Sequence, residues 1–164
     1  MDRADQLIEK LKLAEHPEGG YFRETYRSEG AWTAPGGDEF PNGRAYSTAI
    51  YYLLKGDDRS KLHRVKSDEL WHFYEGSAAT IHVLHPGGRY EALHLGDALR
   101  KGQRFQHTVP AGCWFGVTVD DPAGYILAGC TVAPGFDFKD FEMGDREQLK
   151  QAFPEHKDII ERLT

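Results

Sequence analysis

The sequence predicts an all-β protein, a jelly roll or barrel of antiparallel strands with short helices at its two ends, and three observations carry that prediction. Eighteen glycines and eight prolines are spread along the chain, which suits many short strands joined by turns. Between residues 21 and 136, apolar and polar side chains alternate in short runs bounded by Gly, Pro, Asn and Asp. Neither a central helical pattern nor an internal repeat interrupts those runs, so the strands cover their edges by wrapping round one another. Closure of such a shell leaves an interior cavity, the natural ligand site.

Taken in order, residues 3 to 13 place Leu7, Ile8 and Leu11 at helical spacing between charges, a short packing helix. HPEGGYFRETYRS (16 to 28) opens as a turn at Pro17 and Gly19-Gly20 and continues as a strand, with Arg23, Thr25 and Arg27 on one face and Phe22, Glu24 and Tyr26 on the other. Residues 29 to 44 form a long Gly- and Pro-containing loop, a surface connection or a cover for a pocket mouth. A strand follows over Ala45 to Leu54.

The central stretch is SKLHRVKSDELWHFYEG (60 to 76), where ligand-type side chains fall among apolar and aromatic ones. Alternation puts Glu69, Trp71, Phe73 and Glu75 on one face and Leu70, His72 and Tyr74 on the other. Glu69 and His72 therefore share a space only if a bulge or a turned side chain intervenes. Two strands around Pro86-Gly87-Gly88 carry His82 and His94 at exposed positions, and three more strands run from 102 to 136. In CTVAPGFDFKDFEM, Phe136, Phe138 and Phe141 interleave with Asp137, Asp140 and Glu142: the rings face inward and the carboxylates are solvated or paired, the alternative being that they bind a cation or an amine. Residues 145 to 153 and 154 to 163 close the chain as short helices.

At 164 residues the chain is the size of one domain, 1 to 164. A net charge of -6 and a pI near 5.7 argue against nucleic acid or an anionic membrane as partner, because either needs clustered Lys and Arg. No apolar run reaches membrane-spanning length and the first residues carry no apolar leader, so a cytoplasmic location is expected. Cys113 and Cys130 lie in apolar strands and read as inert core thiols.

Glu69 followed by six residues and Gly76, with His63 upstream, and Gly102 followed by seven residues and Pro110-Ala111-Gly112, resemble the two motifs of the cupin superfamily. HPEGGYFRETYRS, SDELWHFYEG, VPAGCWFG and CTVAPGFDFKDFEM together are similar to its small, largely uncharacterised fifth family, a domain of unknown function. The resemblance covers nearly the whole chain and implies a double-stranded β-helix with a sugar-epimerase-like jelly roll, and homodimers. Metal-using cupins typically carry His-x-His ahead of the Glu and a further His after the Pro-x-Gly turn; here those positions read Lys61-Leu62-His63 and Phe115.

The site residues expected from this reading are His63, Glu69 and His72, which match by type either a three-ligand divalent metal site (Zn, Fe, Mn or Ni) or a metal-free proton-transfer unit. In the second, a His acts as base, Asp68 or Glu69 orients it, and Tyr26, Tyr51 or Tyr74 serves as acid. Arg23, Tyr51, Arg64, Gln106 and Phe115 are the expected substrate contacts, with Arg23, Arg27 and Arg64 available to clamp an anion. The expected ligand is a small polar metabolite such as a sugar or nucleotide sugar. The expected activity is sugar epimerisation or isomerisation, with a non-catalytic metabolite-binding protein or a metal-dependent oxygenase or lyase as alternatives.

Overall fold

The computed structural model describes residues 1–33 and 39–164; residues 34–38 of the expected loop lie outside the described residues. The chain runs from helix α1 (Arg3–Leu11) through β1 (Ala14–Glu15), β2 (Tyr21–Arg27), β3 (Ala31–Trp32), β4 (Arg44–Ala45), β5 (Thr48–Lys55), β6 (Arg59–Arg64) and β7 (Asp68–Gly76). It continues with β8 (Ala79–Leu84), β9 (Tyr90–Leu95), β10 (Gln106–Val109), β11 (Trp114–Val119), β12 (Tyr125–Ala133) and β13 (Glu142–Met143), and ends in α2 (Arg146–Ala152) and α3 (Lys157–Arg162).

Two antiparallel sheets face each other, one in the order β1-β2-β5-β12-β7-β10 and the other β13-β6-β11-β8-β9. This is the expected all-β jelly roll with terminal helices, but among the described residues the ladders fall into these two sheets and a small β3-β4 pair, and do not join into one closed ring. Alternation explains the layering: Tyr52, Leu54, Trp71, Ile126 and Ala128 from the first sheet meet Ile81, Val83, Phe115 and Val117 from the second in the main core. Helix α1 packs Ala4 and Leu7 on the outer face of the first sheet, over Leu53 and Leu127. Its Asp2 cap accepts from the Asp5 amide, which satisfies one of the free donors of the first turn. The C-terminal helices pack Leu149, Phe153, Ile160 and Leu163 against Leu62 and Leu84 on the outer face of the second sheet. No helix among the described residues is long and apolar enough to cross a membrane.

Register slips in β2 and β7 change which side chains point inward. In β2 the register against β5 slips between Glu24 and Tyr26, so Thr25 is the extra residue and Arg27 returns to the inner side with Phe22 and Glu24. The expectation that Arg23 and Arg27 share a face fails for that reason. In β7 the slip against β12 falls between Phe73 and Glu75, and Glu75 turns outward to bond Arg3 of α1 and Tyr125.

Candidate functional site

A cavity of about 320 Å³ opens between the sheets at the end where β12 leaves for the segment 134–141. Phe22, Ile50, Trp71 and Val132 make much of its wall, and Phe136, Phe138 and Phe141 cover one side. His16, Glu18, His63 and Glu69 supply its acid–base groups.

Glu18 reaches the cavity because the turn that carries it is pressed against β5 and β6. Gly20 has φ +72, and a Cβ there would lie 2.7 Å from both the Leu53 carbonyl and the Tyr52 hydroxyl; at Gly19 it would overlap the Arg59 carbonyl. The Glu18 carbonyl accepts from the Lys61 amide at 2.7 Å, and the Tyr52 hydroxyl donates to the Gly19 carbonyl at 2.7 Å. These bonds set the Glu18 carboxylate 2.7 Å from His63 Nε2.

The protonation of His63 follows from its partners. Its Nδ1 lies 2.6 Å from the Lys61 carbonyl, which only accepts, so Nδ1 carries a proton. Its Nε2 faces a carboxylate, so the ring is an imidazolium when Glu18 is ionised. Burial works against that charge, but the Glu18 carboxylate outweighs it and, with the charge of Glu69 and the Lys61 carbonyl, raises the His63 pKa. Burial likewise pushes Glu18 upward, and the charge of His63 more than reverses it, so Glu18 sits below the ordinary carboxylate range. His16 stands beside this pair with Nδ1 accepting from the Glu18 amide at 3.1 Å, and burial lowers its pKa toward the neutral ring.

Glu69 lacks such a cation of its own. It is 8% exposed, and one oxygen accepts from Trp71 Nε1 at 3.1 Å while the other has no hydrogen-bond partner among the described residues. Burial, with the Glu18 charge added, raises its pKa from 4.5 to about 7. Cys130, on the neighbouring strand, also lines the cavity, and burial, together with Glu69 and Glu18, pushes its thiol well up.

The segment 134–141 is fastened at both ends. Phe136 N donates to Thr48 Oγ1 at 2.9 Å, and Arg27 donates to the Phe136 carbonyl at 2.9 Å while gripping Glu24 through two bonds. Asp140 forms a two-bond ion pair with Arg44, both at 2.7 Å and both buried. The three Phe rings pack edge to face, and Phe141 stacks on His63 at 5.4 Å.

Of the residues expected from the sequence, His63, Glu69 and Arg27 meet at the cavity, Arg27 already clamped to Glu24, and the others do not. His72 points to the opposite face of β7, where its Nε2 meets Thr131 Oγ1 at 3.1 Å; the bulge in β7 falls after it and does not turn it inward. Tyr51 and Arg23 lie on that same outer face, the guanidinium 6.0 Å from the Tyr51 ring, and Gln106 pairs opposite His72 there, exposed. Tyr26 and Tyr74 are likewise outside and more than half exposed. Arg64 stacks on Trp114 at 4.5 Å and pairs with Glu142, away from the cavity. Phe115 is fully buried behind His63, centroids 4.1 Å apart, and supports the imidazole instead of touching a ligand. Glu18 and His16 were hidden in a segment that reads as a turn.

A divalent metal does not fit these donors. Among the described residues no three His, Cys, Asp or Glu converge to hold one, and both nitrogens of His63 are engaged.

Comparison with known proteins agrees with the geometry. Residues 5–144 match the family described as Cupin superfamily (DUF985). An uncharacterised protein of Saccharomyces cerevisiae is 31% identical over 162 residues, covering 92% of this chain and 80% of the relative. The crystal structure of a protein from Shewanella oneidensis superposes with a TM-score of 0.90 at 39% identity, covering 100% of this chain and 98% of that one. Oxalate decarboxylase from Bacillus subtilis is similar in fold alone, with a TM-score of 0.58 at 17% identity over 92% of this chain and 36% of that one. On the match across the sheets, the cavity and the segment that covers it, the chain belongs to the cupin superfamily, in the family DUF985.

Proposed function

We propose that this protein binds a small metabolite of sugar size in the cavity and moves a proton on it, as an epimerase or isomerase does. The observation that supports this reading is the pairing, in one buried floor, of an imidazolium held charged by its own carboxylate with a second carboxylate whose pKa lies near neutrality. Groups so tuned divide the work: Glu69, half ionised at neutral pH, takes a proton from the ligand and returns it, and the imidazolium of His63, whose two N–H groups are held by Glu18 and the Lys61 carbonyl, stabilises the negative charge that builds up beside it. This reverses the role expected for the imidazole, because Glu18 keeps it charged. The aromatic walls exclude water and hold an apolar ring face.

The test is exchange of a ligand's carbon-bound hydrogen for solvent deuterium, followed by NMR across a panel of sugars and hydroxy and oxo compounds that raise the melting temperature. Exchange that disappears in both Glu69→Gln and His63→Gln supports the reading. Ligands that bind without exchange in the parent protein would leave a non-catalytic binding protein.

We also propose a homodimer. Leu70 and Tyr74, 37% and 52% exposed on the outer face of the first sheet beyond α1, give a second copy an apolar surface to cover.

A further inference from the structure

We infer that the cavity selects a positively charged ligand: a protonated amine carried on an apolar or ring-shaped body. This rests on the reading of the cavity as a ligand site and adds the charge of what enters it. The charged groups of the wall divide into those already matched and those left over. The cations are His63 and Arg27. His63 is taken by Glu18 at 2.7 Å, and Arg27 spends its Nε and Nη2 on the two oxygens of Glu24, with Nη2 also on the Phe136 carbonyl. His16 is uncharged while its Nδ1 accepts from the Glu18 amide. An anionic ligand, a phosphate above all, therefore finds no unpaired cation in this wall among the described residues, and its charge would be stranded beside carboxylates at a cost of several kcal/mol.

The carboxylates are in surplus. Glu69 is nine-tenths buried, lines the cavity and has one oxygen with no partner among the described residues. Asp137 also lines the cavity; one of its oxygens accepts from the Lys139 amide, and among the described residues no cation is in ion-pair contact with it, Arg27 and Arg44 feeling its charge only from further off. An ammonium supplies what both lack, a donor and a compensating charge. The rings suit the same ligand, since Phe136, Phe138, Phe141, Phe22 and Trp71 offer faces to an apolar body and the electron-rich surfaces that attract a cation. The arginines expected to grip an anion are out of reach or engaged: Arg23 and Arg64 point elsewhere and Arg27 is clamped.

Amines of this description come from two sources, aryl amines and amino sugars, and matched trios separate them. Calorimetric titration at pH 8 with phenethylamine, 2-phenylethanol and 3-phenylpropionate, and with glucosamine, glucose and glucuronate, reads the charge preference on each scaffold. The amine is expected to bind at least about tenfold tighter than its neutral partner on at least one scaffold, with the carboxylate weakest, and added salt should weaken the amine alone. In Asp137→Asn, and separately in Glu69→Gln, the amine's advantage should shrink about threefold or more while the neutral ligand is unchanged. Equal affinities within a trio, a preferred anion, or no binding on either scaffold overturns the inference. The acid–base reading is judged separately by side-chain titrations of the free protein, which need no ligand.

Discussion

Glu69→Gln is the substitution that best tests the electrostatics of the cavity floor, because it replaces the carboxyl with a near-isostere that cannot ionise. A buried acid whose pKa is raised from 4.5 to about 7 binds its proton more tightly folded than unfolded. The sign follows: the folded chain holds more protons than the unfolded one between those values, so lowering the pH stabilises the fold, and ionising Glu69 above them costs stability. With 1.36 kcal/mol for each unit, the cost is about 3 kcal/mol at pH 8, about 2 at pH 6 and under about 1 at pH 5. Urea unfolding of the parent and variant across pH 5 to 8 measures it. The variant should gain on the parent as pH rises, by about 2.5 kcal/mol over the range, which for a chain of this size is roughly 5–10 °C in melting temperature. The amide brings its own constant cost, so the slope with pH is the quantity to read. A difference flat with pH would mean that Glu69 titrates as an ordinary surface acid, and the assignment of base would fall with it.

Other consequences are separable. Glu18→Gln removes the largest support for the charged His63 ring, so the imidazole titration followed by NMR should move to lower pH; a parent His63 that already titrates at or below 6.5 would contradict the ion pair. Since the His63 pKa is raised on folding, its contribution to stability is present below the ordinary histidine value and is lost as pH rises through the raised one, a dependence Glu18→Gln should flatten. Asp140→Ala strands Arg44 in a buried site and should cost about 3–5 kcal/mol, whereas Glu142→Ala, which breaks the exposed pair with Arg64, should cost within about 1 kcal/mol by the same denaturant assay. Cys113 and Cys130 are both buried with raised pKa, so neither should react with a thiol reagent until the protein unfolds. Light scattering should give a dimer that Tyr74→Asp converts to a monomer; a monomeric parent would remove the proposed second copy.

What could be read from the sequence divides along physical lines. Alternation located nearly every strand, and it placed Glu69 and Trp71 on the inner face, because a period of two is fixed by backbone geometry. The same rule placed His72 on the other face, and only the supposition of a bulge between Glu69 and His72 brought it back. A bulge exists in β7, but at Tyr74, two positions beyond His72, and no pattern in DELWHFYEG marks where a ladder slips. The bulge at Thr25 was equally silent, and it moved Arg27 from the outer face to the cavity. Glu18 was missed for another reason. Pro17 and Gly19-Gly20 are strong turn signals, and they hid the fact that glycines let a chain approach other backbone closely as well as bend. A carboxylate flanked by His16 and two glycines was the available clue.

The departures from the metal-binding pattern acquire a common meaning once the partners of His63 are in place. Where metal-using cupins carry a first histidine, Lys61 offers its backbone carbonyl to His63 Nδ1 at 2.6 Å. Where they carry the histidine after the Pro-x-Gly turn, Phe115 lays its ring 4.1 Å from the same imidazole. Glu18 takes the remaining nitrogen at 2.7 Å. Two departures and one added carboxylate thus converge on one side chain, and each favours a fixed, protonated ring over a free lone pair: a carbonyl demands a proton, a carboxylate rewards a charge, and a phenyl ring fills the space another ligand would need. Glu69 completes the inversion, since a carboxylate left without a dedicated cation is raised toward neutrality by its surroundings and becomes able to exchange a proton near pH 7.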